Sequence, residues 1–142
     1  LTGGRRAPGF ECGYFVEPTA VLATGNQSRV CQEEIFGPFA TFLVYDTLDE
    51  ALAIANDSPF GLVAYVWAND LDVVMRASRD LRAGTVWVNT TMVRELRAPF
   101  GGYKQSGVGR DGATSSVEFF TELKTTTIPI DPAPLPRFGR GD

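Results

Sequence analysis

Between Ala40 and Asn89 three apolar runs alternate with two amphipathic stretches, and this alternation restricts the fold more than any other feature of the chain. The runs "ATFLVY", "VAYVWA" and "TVWVN" are short and rich in Val, Thr and aromatic residues, as buried strands are. "TLDEALAIAND" opens with a Thr-x-x-Glu capping box, Thr47 and Glu50, and places Leu48, Ala51, Leu52 and Ala55 on one helical face. "SPFGL" ends that helix. "NDLDVVMRASRDLRAG" predicts another, with Leu71, Val74, Ser78 and Leu81 on one side and Gly84 at the C-cap position. Strands alternating with helices predict βαβ units, hence an α/β fold with a mainly parallel sheet and flanking helices. An earlier strand is expected around "YFVEPTAVL", a short helix in "GATSSVEFFTELK", and a late β-prone run in "TTTIPI" before the Pro-rich tail "DPAPLPRFGRGD".

Ligands of such sheets gather at the C-terminal ends of the strands. That directs attention to "NTTMVRELRAPFGGYKQSGVGR", which is too Gly-rich and too charged to continue the third strand. It is not a phosphate-binding loop, because it follows no strand directly and lacks the βαβ context. Composition removes other classes of partner. With a net charge of −4 and 13 dispersed basic residues, there is no basic stripe to grip nucleic acid. The absence of a long apolar run argues against a membrane span. Two cysteines without zinc-ligand spacing and no histidine leave little for a metal site or a disulfide framework, and a reducing, cytoplasmic setting is expected. A first residue that is Leu1 suggests a piece of a longer chain.

"CQEEIFGPF" raises the question of a nucleophilic thiol. A catalytic cysteine needs a cation, a helix N-terminus or a base to hold it as thiolate. Cys31 instead neighbours Glu33 and Glu34, so it reads as a small strand-end residue, and Cys12 in "FECGYF" has no recognisable partner. The interest of the stretch therefore lies in its carboxylates, its aromatic residue and its turn.

"EEIFGP" (33–38), "NDSPFGLVAYVW" (56–67), "GTVWVN" (84–89) and "PFGGYKQSGVGRDG" (99–112) together resemble the C-terminal third of NAD(P)-dependent aldehyde dehydrogenases. The resemblance runs in register from Thr2 to about Ile130. "VRELRAPFGG" and "PLPRFG" resemble, more narrowly, the branch acting on 5-carboxymethyl-2-hydroxymuconate semialdehyde, a carboxylated semialdehyde of aromatic catabolism. The resemblance implies that residues 1–123 are the last part of a catalytic domain. Residues 124–142 would then be an oligomerisation strand, around Thr125 to Ile128, and a tail.

The same resemblance implies a role for each motif. Glu34 would hydrogen-bond the nicotinamide ribose, because a carboxylate can accept from both hydroxyls and so orient the ring for hydride transfer. Phe36 would pack near the nicotinamide, and Leu62 would flank it. Phe100 would line the aldehyde tunnel. Arg94, with Arg97 as second candidate, would meet a substrate carboxylate through its planar fork, unless either arginine is simply paired with Glu95. The implied cofactor is NAD, with NADP left open because the residues that read the adenosine ribose would lie upstream. The nucleophile, the general base and the dinucleotide-binding half would also lie upstream, so the chain alone is expected to be inactive. The competing reading is a stand-alone, non-catalytic module that joins subunits through "LKTTTIPI".

Overall fold

A computed structural model describes residues 1–131 and Gly139, so most of the Pro-rich tail, "PLPRFG" included, falls outside the described residues. The first strand, β1 (Thr19–Leu22), is shorter than "YFVEPTAVL" suggests. Pro18 has no N–H to give to a ladder, and the residues before it pair with the N-terminal loop instead, Arg6 opposite Val16, while Thr2 bridges to Ala20 of β1. After the short helix α1 (Arg29–Gln32), β2 (Phe39–Phe42) runs parallel to β1 with Thr19 facing Phe39. Cys31 thus lies in α1, not at a strand end.

Helix α2 (Leu48–Asn56) starts as its capping signal requires, with Thr47 accepting from the Glu50 N–H at 3.2 Å. The reciprocal bond is displaced by one residue: Glu50 accepts from the N–H of Asp46. Leu52 is buried, while Ala55, expected on the same face, is exposed. Then β3 (Phe60–Gly61) and β4 (Val63–Val66) lead into α3 (Leu71–Asp80), capped by Asp70, whose carboxylate accepts from the N–H groups of Asp72 and Val73. The inward face of α3 is turned from the expected one. Ala77 is its buried residue, and Leu71 and Ser78 are exposed.

Gly84 is not the C-cap of α3 either, since the helix ends at Asp80 with Leu81 as cap. Its lack of a side chain serves a close approach: a Cβ there would overlap the carbonyl oxygen of Gly101. Strand β5 (Thr85–Val88) then pairs in parallel with β4, Val63 opposite Thr85, and stacks Trp87 on Tyr65. The hairpin-like pair β3 with β6 (Tyr103–Lys104) is antiparallel, and α4 (Ala113–Phe120) follows.

The expected α/β character is present, but the single mainly parallel sheet is not. The strands form three two-stranded sheets, β1–β2, β3–β6 and β4–β5. A parallel sheet needs neighbours on both sides and cover on both faces, and no strand among the described residues bridges β2 to β4. Leu52 and Ala77 are the buried apolar residues, and Phe42 and Tyr65 are half exposed. The chain presents 12060 Å² to solvent, where a self-contained monomer of its 15.4 kDa presents about 7,200 Å². "TTTIPI" forms no strand within the chain, and residues 121–130 are exposed throughout.

Candidate functional site

The stretch "CQEEIFGPF" leaves α1 through Glu33, which closes the helix in an extended conformation. Glu33 is occupied. Its carboxylate takes two hydrogen bonds from Arg29, at 2.7 and 2.8 Å, and these hold its carboxyl below the ordinary range. Glu34 has no hydrogen-bonding or ionic partner among the described residues and faces a cleft of about 780 Å³. Leu62, Phe60, Tyr65 and Leu81 are among the apolar residues that line it. Two of the three residues expected near a nicotinamide, Glu34 and Leu62, therefore share one cavity.

Phe36 is not with them. It lines a separate hollow of about 1070 Å³ together with Tyr14, Phe15 and Ile35, and its ring is 92% exposed. Its backbone is left-handed at φ 51°, an unusual state for an aromatic residue and one that marks the turn as strained. Cys31 has no cation beside its thiol. Its sulfur accepts from the Ser28 hydroxyl at 3.2 Å and points toward the Gly25 carbonyl.

The cleft is framed by side chains that the sequence reading did not single out. Asn26 donates to the carbonyls of Ile54 and Asp57 at 3.2 and 2.6 Å, and Gln32 donates to those of Asn26 and Asp57, both at 2.8 Å. Across the same turn, the Lys104 ammonium reaches the carbonyls of Asn56 and Ser58 at 2.8 and 2.9 Å, where the last turn of α2 leaves acceptors unpaired. Asn56 joins the ends of the two long helices by donating to Asp80 O and accepting from Arg82 N–H. The available signal was positional: amide side chains at helix ends often meet unpaired backbone groups.

The mouth segment after β5 is held differently. Asn89, also left-handed, clamps Ala68 through both its N–H and its carbonyl, and Trp87 donates to Val93 O at 2.8 Å. Arg97 lies in a two-bond fork with Glu95, at 2.8 and 3.0 Å, which draws the Glu95 carboxyl down to about 2. Arg94 has no such fork. Its guanidinium sits 5.6 Å from the centre of the Phe100 ring and 3.8 Å from Asp111. Asp111 is itself held by the Ser116 hydroxyl and the Gly112 N–H, which lower its carboxyl pKa. Phe100 and Asp111 exchange backbone hydrogen bonds of 2.8 and 2.7 Å and close the loop between them. The expected substrate residues thus separate: Arg94 and Phe100 are together, while Arg97 is engaged with Glu95.

Chemically, the cleft offers the carboxylate of Glu34, unpaired among the described residues, beside apolar residues such as Leu62, Phe60 and Leu81. The mouth offers a guanidinium resting on an aromatic ring. The family described as "Aldehyde dehydrogenase family" matches residues 1–126. A mouse (Mus musculus) relative named 2-aminomuconic semialdehyde dehydrogenase is 44% identical over 118 residues, covering 83% of this chain and 24% of the relative. The crystal structure of HpcC from Thermus thermophilus superposes with a TM-score of 0.87 at 40% identity, over 99% of this chain and 28% of that one. A Mycobacterium tuberculosis aldehyde dehydrogenase complexed with NAD+ superposes with a TM-score of 0.81 at 40% identity, over 94% of this chain and 27% of that one. The chain spans about a quarter of the length of these relatives. A match across most of its residues, together with the shared fold, establishes that the chain belongs to the aldehyde dehydrogenase family.

Proposed function

We propose that this chain supplies the nicotinamide-ribose contact and part of the substrate mouth of an NAD-type aldehyde dehydrogenase that oxidises a carboxylated semialdehyde. The observation that carries the reading is that Glu34, unpaired among the described residues, and Leu62 line one cleft. A carboxylate so placed can accept from two vicinal hydroxyls while the apolar wall limits tilting of the ring above them. NAD bound to a solved relative supports that cofactor, and NADP stays open. The thioester-forming cysteine, the general base and the phosphate site belong to the remainder of the dehydrogenase chain, so the isolated chain turns over no aldehyde. Phe36 serves the nicotinamide side only if ligand binding brings its ring toward the cleft.

For the substrate, Arg94 is the selecting residue and Phe100 the wall behind it. Arg97 is secondary, because binding a substrate carboxylate would require it to leave Glu95. The muconic semialdehyde named for the mouse relative supports a substrate of this class, and 5-carboxymethyl-2-hydroxymuconate semialdehyde is the specific aldehyde proposed. The test compares kcat/KM for a carboxylated and a neutral aldehyde of similar size before and after Arg94→Met in the full-length dehydrogenase. The carboxylated substrate should lose at least about tenfold more, roughly 1.4 kcal/mol of differential transition-state binding. Equal losses would reduce Arg94 to a loop-shaping residue.

The exposed segment 121–130, with Leu123 and Ile128 open to solvent, supports a role as a strand added to a partner subunit in a cytoplasmic homo-oligomer. Deleting 124–142 should lower the sedimentation coefficient of the assembled enzyme. An unchanged value would return the segment to a solvated tail.

A further inference from the structure

Among the described residues Glu34 has no partner of its own, so something else must fix where its carboxylate stands. Gln32, two residues earlier and half-buried, ties the Glu34 segment to the turn after α2, whose residues Asn56 and Ser58 line the cleft. Its amide nitrogen gives one hydrogen bond to Asn26 O and one to Asp57 O, each at 2.8 Å. Asp57 is the C-cap of α2 and begins the turn that ends in Phe60, Gly61 and Leu62. That turn is anchored from its far side as well. Lys104 donates to Asn56 O and Ser58 O, Gln105 N–H to Pro59 O at 3.0 Å, and Gly61 N–H to the Ser106 hydroxyl at 2.9 Å. With the turn held in this way, the bond from Gln32 to Asp57 links the Glu34 segment to it. A single residue, Glu33, separates Gln32 from Glu34, and its side chain is already fixed by Arg29.

We propose that Gln32 is a positioning residue, which sets where the Glu34 carboxylate stands by tying the "CQEEIFGP" segment to the carbonyl of Asp57, between the cleft-lining residues Asn56 and Ser58. Resting on the ribose-contact reading of Glu34, the proposal extends it to a residue that touches neither cofactor nor substrate. The chemistry required at position 32 is specific. Its two partners are carbonyl oxygens, of which Asp57 O also accepts from Asn26, so an amide or an ammonium fits. A carboxylate, which only accepts, does not.

The test is a double-mutant cycle in the full-length dehydrogenase, reading kcat/KM for NAD+ in Gln32→Ala, Glu34→Ala and the double variant, with Gln32→Lys and Gln32→Glu alongside. Gln32→Ala should lose about tenfold in the wild-type background and less than about twofold when Glu34 is already alanine, because its effect passes through that carboxylate. Gln32→Lys should recover to within about threefold of wild type, and Gln32→Glu should not recover. Additive losses in the cycle, or equal activities for the lysine and glutamate variants, would overturn the positioning role while leaving the ribose contact standing. Should Glu34→Ala itself leave kcat/KM for NAD+ unchanged, the ribose-contact reading falls, and the positioning role with it.

Discussion

On the side proposed to meet the cofactor, the bonds framing the cleft join residues far apart in the chain, Gln32 to Asp57 over 25 positions and Lys104 to Asn56 over 48. Within the mouth loop the contacts of Arg97 to Glu95 and of Trp87 to Val93 are local, over two and six positions, while its base is clamped by Asn89 to Ala68 over 21. Long-range bonds between backbone carbonyls and amide or ammonium groups fix one segment relative to another. Local bonds shape a loop without fixing where it stands. A common cofactor calls for the first arrangement, and a variable aldehyde is served by the second.

The largest effect is expected where the two sides touch. A Cβ at position 84 would overlap Gly101 O and press on Leu62 O, so Gly84→Ala should disturb the cleft and the mouth together. About 3 kcal/mol or more of stability should be lost, read as a fall in the denaturant midpoint. A variant that stays stable and loses only one of the two functions would break the comparison. Lys104→Met comes next. Removing the ammonium leaves two carbonyls short of a donor and should cost about 2 kcal/mol. It should weaken NAD+ binding while preserving the preference for a carboxylated aldehyde, and loss of that preference would show that the two sides are not separately held.

Arg97→Ala gives the smallest effect, because both partners of that pair are exposed and screened. Its sign is nevertheless fixed. The Glu95 carboxyl is depressed from 4.5 to about 2 by Arg97, so the stability it contributes is present above about pH 4.5 and disappears as pH falls toward 2. Melting curves of wild type and variant should differ slightly at pH 6, converge near pH 2, and converge at pH 6 in high salt. A difference that grows on acidification would contradict the pairing.

Apart from β3, which falls in the "SPFGL" break, the helices and strands between Phe39 and Val88 are legible in the sequence because the Thr47 cap, the break at Pro59 and the β-branched runs all act locally. What escapes is tertiary. Periodicity puts Ser78 instead of Ala77 on the inward face of α3, since it gives a stripe but not the neighbour that the stripe meets. Distance from a helix end makes Gly84 a cap, whereas its reason lies 17 residues ahead at Gly101. Parallel pairing is foreseeable from βαβ alternation, but the absence of a bridging strand among the described residues is not. At the site, Glu34 and Leu62 are recognisable from motifs in register. Gln32, Asn26 and Lys104 are not, because no local rule says which distant carbonyl an amide or ammonium will find.

The left-handed backbone at Phe36 restricts which residues the "EEIFGP" turn can carry, whatever the chemistry of its surroundings. Glycine would relax the main chain there by about 1 kcal/mol, and asparagine would sit comfortably, but either would remove the ring. Valine and isoleucine, close to phenylalanine in hydrophobicity, are excluded by branching at Cβ rather than by size. Variation at this position is therefore channelled toward side chains that branch only beyond Cβ, such as leucine, methionine, tyrosine or histidine. A designer who reshapes the adjoining hollow must choose among such side chains or rebuild the turn.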